Sequence, residues 1–187
     1  MADAMTDTEA GILDAAAAEV RAHGIRRTTA SDIARRAGMS RQTLYRYWPD
    51  VQSLLAALVT RELTAVLPAR EPDASLEDLV ATLVDTADRI RRMPLLHTLR
   101  GSDPELLARY VLERVGTSQR LIHGEVAARV RAGQQAGHVR AGAPGELAAM
   151  VLLVAQSAVL AAPVADAWLG GQAWRRELAA ALTGYLR

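Results

Sequence analysis

Ser, Thr, Gly and Pro cut this chain into short segments whose apolar residues recur every three or four positions. That spacing gathers apolar side chains on one face of an α-helix, and the alternation expected of strands is almost absent. Ala, Leu, Arg and Glu fill the segments, and all four are good helix formers. The expectation is an all-α fold of about nine helices. It would have an N-terminal helix-turn-helix domain over residues 1–50, a connecting helix over 51–67, and a C-terminal helical domain over 68–187.

The helix boundaries follow from local chemistry. Thr6 followed three residues later by Glu9 is a capping box, and it opens a helix with Ile12, Leu13, Ala16 and Val20 as its buried stripe, ended at His23-Gly24. A short helix over about Ser31–Ala37, capped by Thr29 or Ser31, breaks at Gly38. Ser40 caps the next, from Arg41 to about Tyr47. Pro49-Asp50 stops it and starts a helix from Val51 to about Leu67. Pro68–Ala74 reads as a linker, and Ser75 caps a helix from Leu76 to about Arg92. Met93-Pro94 interrupts the chain before a short helix carrying Leu95, Leu96 and Leu99. Asp103-Pro104-Glu105 would open a long helix to about Ala132, with Gly116 and Gly124 inside it. A Gly-rich stretch follows to Pro144. The next helix is expected from Gly145 toward Trp168, kinked at Pro163. The last would cover Gln172–Tyr185, with Trp174, Leu178, Ala181, Leu182 and Tyr185 on one face.

Composition removes several classes of function. There is no cysteine, which excludes a thiol nucleophile, Cys-ligated metal and disulfides, and suits a reducing cytosol. The N-terminus shows no basic segment leading into an apolar one, so no secretory signal is expected. Leu147–Val164 is the longest apolar run, but it is Ala-rich and contains Gln156 and Ser157, which fits a buried helix better than a membrane span. A cytoplasmic protein without membrane association is expected. No Ser lies in a G-x-S-x-G elbow, and His23, His97, His123 and His138 lack metal-ligand spacing. Neither an enzyme, a metal site nor a cofactor is expected.

The whole chain carries a net charge of only +1. Between Arg21 and Trp48, however, seven arginines face a single acid, Asp32, a local excess of +6 that leaves the remainder acidic. Such asymmetry marks a face for a polyanion. The same stretch holds two short helices joined by Gly38-Met39-Ser40, the layout of a helix-turn-helix. Leu44 and Trp48 would face inward, leaving Arg41, Gln42, Thr43, Tyr45 and Arg46 outside. Arg can read guanine, Gln adenine, and Thr the methyl of thymine. Tyr45, Arg46 and Tyr47 suit phosphate and sugar, as do the helix starts at Thr29 and Ser40. Arg26, Arg27, Arg35 and Arg36 could contact phosphate or simply solvate the surface.

The run TTASDIARRAGMSRQTLYRYWPDVQSLL resembles the reading head of the tetracycline-repressor (TetR) family. The matching positions are Thr29, Ile33, Ala34, Ala37, Gly38, Ser40, Thr43, Leu44, Tyr45, Tyr47 and Leu54. Met39 and Trp48 are apolar replacements at apolar positions. The family usually has a phosphate-contacting Lys where this chain has Val51, so that contact is missing; Arg46 or the N-terminus of the helix beginning there could substitute.

The resemblance implies a sequence-specific regulator, by family default a repressor released from double-stranded DNA by a small, largely apolar effector. It also implies a homodimer through the last two helices and a roughly palindromic operator. The Trp174–Tyr185 stripe could be interface or core. Candidate effector contacts are Met93, His97, Arg100, Gln119, His123, Gln156 and Trp168. The competing reading is a helical ligand-binding or interaction module without DNA activity.

Overall fold

The computed structural model describes residues 6–68, 73–102, 107 and 116–187. Ten α-helices lie within them: α1 (Asp7–His23), α2 (Ala30–Arg36), α3 (Arg41–Tyr47), α4 (Val51–Ala65), α5 (Leu76–Arg91), α6 (Pro94–Ser102), α7 (Thr117–Gln135), α8 (Pro144–Leu160), α9 (Ala162–Ala165) and α10 (Gly171–Leu186). A 3-10 turn, Ile25–Arg27, precedes α2. There is no strand among the described residues.

The expected caps form. Thr6 accepts the Glu9 N–H while the Glu9 carboxylate accepts the Thr6 N–H at 2.8 Å. Thr29, not Ser31, caps α2, and Ser40 and Ser75 cap α3 and α5. Gly38 ends α2 with φ of 68°. The Met39 N–H reaches back to Ala34 O and the Gly38 N–H to Arg35 O, a Schellman closure that needs a left-handed residue.

Two boundaries differ from expectation. Gly116 is not inside a helix; its extended backbone is the N-cap of α7, and the side chain of Gln119 accepts the Gly116 N–H. With the Gly116 N–H tied back to the Gln119 side chain, the first turn is closed and the helix starts there. The beginning expected near Asp103 lies outside the described residues, as do residues 69–72 of the expected linker. The helix from Gly145 does not reach Trp168 either. It stops at Leu160, and Pro163 sits in the first turn of the separate α9, where its missing N–H costs no helical bond. On α10 the buried stripe is Trp174, Leu178, Leu182 and Leu186; Ala181 is exposed and Tyr185 half-buried.

The chain forms two compact units, residues 1–65 with 93–115, and residues 66–92 with 116–187. In the first, α1 packs against α2, α4, α6 and the 3-10 turn, and α2 packs on α3. Ile12, Leu13, Ala16, Val20, Ile33, Leu44, Leu54 and Leu58 form its core. Each fully buried leucine or isoleucine contributes about 1.5–3 kcal/mol relative to exposure. In the second unit, α8 packs against α5, α7 and α10, and α10 also packs on α5. Leu79, Val130, Leu147, Val151, Trp174 and Leu182 lie at its centre.

Two polar networks brace the second unit. Asp88 of α5 is buried and accepts from Arg91 of its own helix, from Arg92 at that helix's C-cap and from Arg175 of α10. Arg175 also pairs with Asp85, and the Arg91 guanidinium lies 4.8 Å from the Trp174 ring centroid. Separately, Arg129 of α7 pairs with Asp73 at 3.0 Å and Glu125 at 3.2 Å, and Asp73 also accepts from Thr82 of α5.

Candidate nucleic-acid interface

The sequence of α3 sorts its side chains by helical phase. Leu44 has no exposed surface and pins the helix into the first unit, with Trp48 half-buried after it. Arg41, Gln42, Tyr45, Arg46 and Tyr47 are exposed, and Thr43 is partly so. A helix anchored by one face presents the other to solvent at fixed orientation, as a base-reading helix requires.

The α3 N-terminus is closed by its own residues. Ser40 Oγ accepts the Thr43 N–H at 3.1 Å and lies 2.9 Å from Thr43 Oγ1. At the α2 N-terminus Thr29 accepts the Asp32 N–H and donates to the Asp32 carboxylate at 2.6 Å. Donation from Thr29 holds the Asp32 carboxyl below its ordinary value against the opposing effect of desolvation, with Arg35 adding to the lowering.

The arginines divide by their partners. Arg36 donates to Glu19, whose side chain is 4% exposed, across a 2.7 Å bond that joins α2 to α1. Arg35 pairs with Asp32 on the surface. Arg41 lies along Tyr45, its guanidinium 5.7 Å from the ring centroid and one nitrogen 3.4 Å from the phenolic oxygen. Arg21, Arg27 and Arg46 are exposed and form no ion pair among the described residues. Sequence reading found the basic stretch but neither the Glu19–Arg36 bond nor the Arg41–Tyr45 pair. The second was signalled by the i, i+4 spacing of a cation and an aromatic ring on a helix.

At the start of α4, Val51 is half-buried and carries no charge. The Asp50 carboxylate accepts the Ser53 N–H at 2.6 Å, so this helix end already holds an anion. Donation from Ser53 keeps the Asp50 carboxyl low.

The effector candidates fall in different units. Met93 is buried just before α6, and His97 and Arg100 lie on α6, in the first unit. Gln119, His123, Gln156 and Trp168 belong to the second. Gln119 caps α7, while His123 Nε2 lies 2.9 Å from Gly145 O, fastening α7 to the start of α8. Gln156 is half-buried on α8 and Trp168 is 79% exposed. Among the described residues no group of three or more His, Asp or Glu could hold a metal, and no helix is long and apolar enough to cross a membrane.

An all-helical chain that buries one face of a short second helix and exposes arginine, glutamine and tyrosines on the other has the build of a helix-turn-helix regulator. Residues 12–58 match the family described as bacterial regulatory proteins, tetR family. The chain is 43% identical over 187 residues to an uncharacterised HTH-type transcriptional regulator of Mycobacterium bovis, covering 100% of this chain and 98% of the relative. It belongs to the TetR family and is a DNA-binding transcriptional regulator, not an enzyme. The fold is shared with the fatty acid degradation regulator FadR from Bacillus halodurans at a TM-score of 0.66 and 18% identity, covering 99% of each chain. It is shared too with SmeT in its triclosan complex, at a TM-score of 0.58 and 23% identity, covering 95% of this chain and 90% of that one.

Proposed function

We propose that Arg41, Gln42 and Thr43 read base edges in the major groove, while Thr29, Ser40, Tyr45, Arg46 and Tyr47 hold the phosphate backbone. The observation that carries this reading is the phase of α3: Leu44 is fully buried while Arg41, Gln42, Tyr45 and Arg46 stand exposed. Arg46 supplies the cation missing at Val51, since Asp50 already occupies the α4 N-terminus.

Two copies associate through α8 and α10. The reading is supported by a stripe of exposed apolar surface on and beyond α8, with Leu153 at 62%, Val164 at 67% and Trp168 at 79% exposure, and by exposed small residues Ala180, Ala181 and Gly184 on α10. A two-fold pair of reading heads about 34–36 Å apart meets successive major grooves, so the operator is roughly palindromic. The protein acts as a repressor. A small, largely apolar effector binds among α5, α7 and α8, where His123 and Gln156 supply polar groups, and favours a dimer geometry that releases DNA. The solved complex of SmeT with triclosan is an instance, in a protein of the same fold, of a small apolar ligand bound.

The test is a mobility-shift titration of the full chain against duplexes from its own upstream region. A retarded band that survives excess non-specific competitor is expected. No shift at low salt with any fragment would contradict the reading.

A further inference from the structure

The Arg41–Tyr45 pair does more than supply two separate contacts. The two residues are four apart on α3, both exposed, with the guanidinium over the ring at 5.7 Å and a guanidinium nitrogen 3.4 Å from the phenolic oxygen. An exposed arginine otherwise samples many rotamers, and bidentate recognition of guanine O6 and N7 needs a single planar placement. A ring under the guanidinium removes part of that freedom before DNA arrives. The phenolic oxygen has a second capacity: while accepting from Arg41 it still has its own O–H to donate. Directed at a phosphate, that donation polarises the hydroxyl and strengthens its acceptance from Arg41.

We propose that Tyr45 is a specificity-determining positioning residue: it presents Arg41 to a guanine and links that base contact to a backbone phosphate through its hydroxyl. The inference rests on the proposed placement of α3 in the major groove. It differs from a plain phosphate anchor in its consequence. An anchor changes affinity for all sequences alike, whereas a presenter changes the preference at one base pair.

The experiment selects bound duplexes from a randomised library with the full-length protein. Affinities are then measured on the selected duplex and on a version with the enriched guanine pair replaced in one half-site only. Wild type should discriminate between them by about 5-fold to about 150-fold. Arg41→Ala should abolish that discrimination. Tyr45→Ala should cut it by about 2- to 5-fold, the weight of an exposed cation–π contact. Tyr45→Phe, which keeps the ring, should retain more of it than Tyr45→Ala while losing affinity for both duplexes. The double variant should discriminate no worse than Arg41→Ala alone. If Tyr45→Ala weakens both duplexes equally and leaves the discrimination intact, the inference is overturned while base reading by Arg41 stands. If Arg41→Ala keeps the discrimination, the base-reading assignment itself fails, and the presenter role with it.

Discussion

Arg35 and Arg36 are neighbours in sequence and opposites in role. Arg36 neutralises a carboxylate sealed between α1 and α2: Glu19 is buried, with Arg36 at 2.7 Å and His23 at 3.5 Å beside it. Removing the arginine strands a buried charge, so Arg36→Ala should lower stability by about 1–3 kcal/mol in urea unfolding. Arg35→Ala breaks only a surface pair with Asp32 and should stay within about 0.5 kcal/mol of wild type. Equal losses for the two would refute this division. Val51 gives a second residue-level prediction. Val51→Lys restores the cation that the family's reading heads usually carry and should tighten DNA binding. It should also steepen the slope of log affinity against log salt by roughly 0.9 per subunit. An unchanged slope would show that position 51 does not face phosphate. The count and location of these arginines were plain in the sequence. Their sorting was not, because Glu19 and Arg36 are 17 positions apart and only the packing of α1 on α2 brings them together.

Among the elements, the turn between α2 and α3 sets the direction of α3. Gly38 holds φ of 68°, and a Cβ there would meet nothing within 4 Å, so the penalty for Gly38→Ala is backbone strain alone. That strain is about 1–2 kcal/mol. A thermal melt should drop by about 2–4 °C for each kcal/mol lost; an unchanged melt would mean that the closure is not required. The helix starts at Thr6, Ser40 and Ser75 were legible because a cap and its partner lie within three residues of each other, whereas at α2 Thr29 and Ser31 were both open as caps. The ends of the later helices were less legible. Gly116 reads equally as a weak interior residue or a cap, and nothing local decides until Gln119 folds back onto it. Pro163 predicts a disturbance, but whether the helix kinks or stops is decided at Ala161, the C-cap of α8, where the backbone turns to ψ of −2°. The α3 boundaries, by contrast, agree with expectation residue for residue, since Ser40 and Pro49 bracket them.

At the scale of the molecule, α10 is fastened to α5 by charge as well as by its apolar stripe. Burial pushes the Asp88 carboxyl up, but donation from Arg91 and Arg175 and the charges of Arg92 and Arg91 outweigh it and hold the group below its ordinary value. A carboxylate lowered in the folded state stabilises above its unfolded value of about 3.9 and loses that contribution as pH falls through the folded value. Asp88→Asn should therefore cost on the order of 2 kcal/mol at neutral pH. Its deficit against wild type should shrink below about pH 4, as thermal melts across pH would show. A deficit constant down to pH 3 would assign the loss to packing instead. The all-α architecture and the reading head were legible because helix phase and caps are local. The charge clamp and the half-buried surroundings of His123 and Gln156 were not, since both depend on which helices of the second unit meet. In the proposed function α3 carries the sequence preference. It is tested most directly by binding wild type and an Arg41→Ala/Gln42→Ala/Thr43→Ala variant to a selected duplex and to a scrambled one. The variant should remain folded, bind the scrambled duplex as wild type does, and lose its preference for the selected one, which for a specific regulator is about 10³-fold or more. A variant that keeps the wild-type preference would contradict the account.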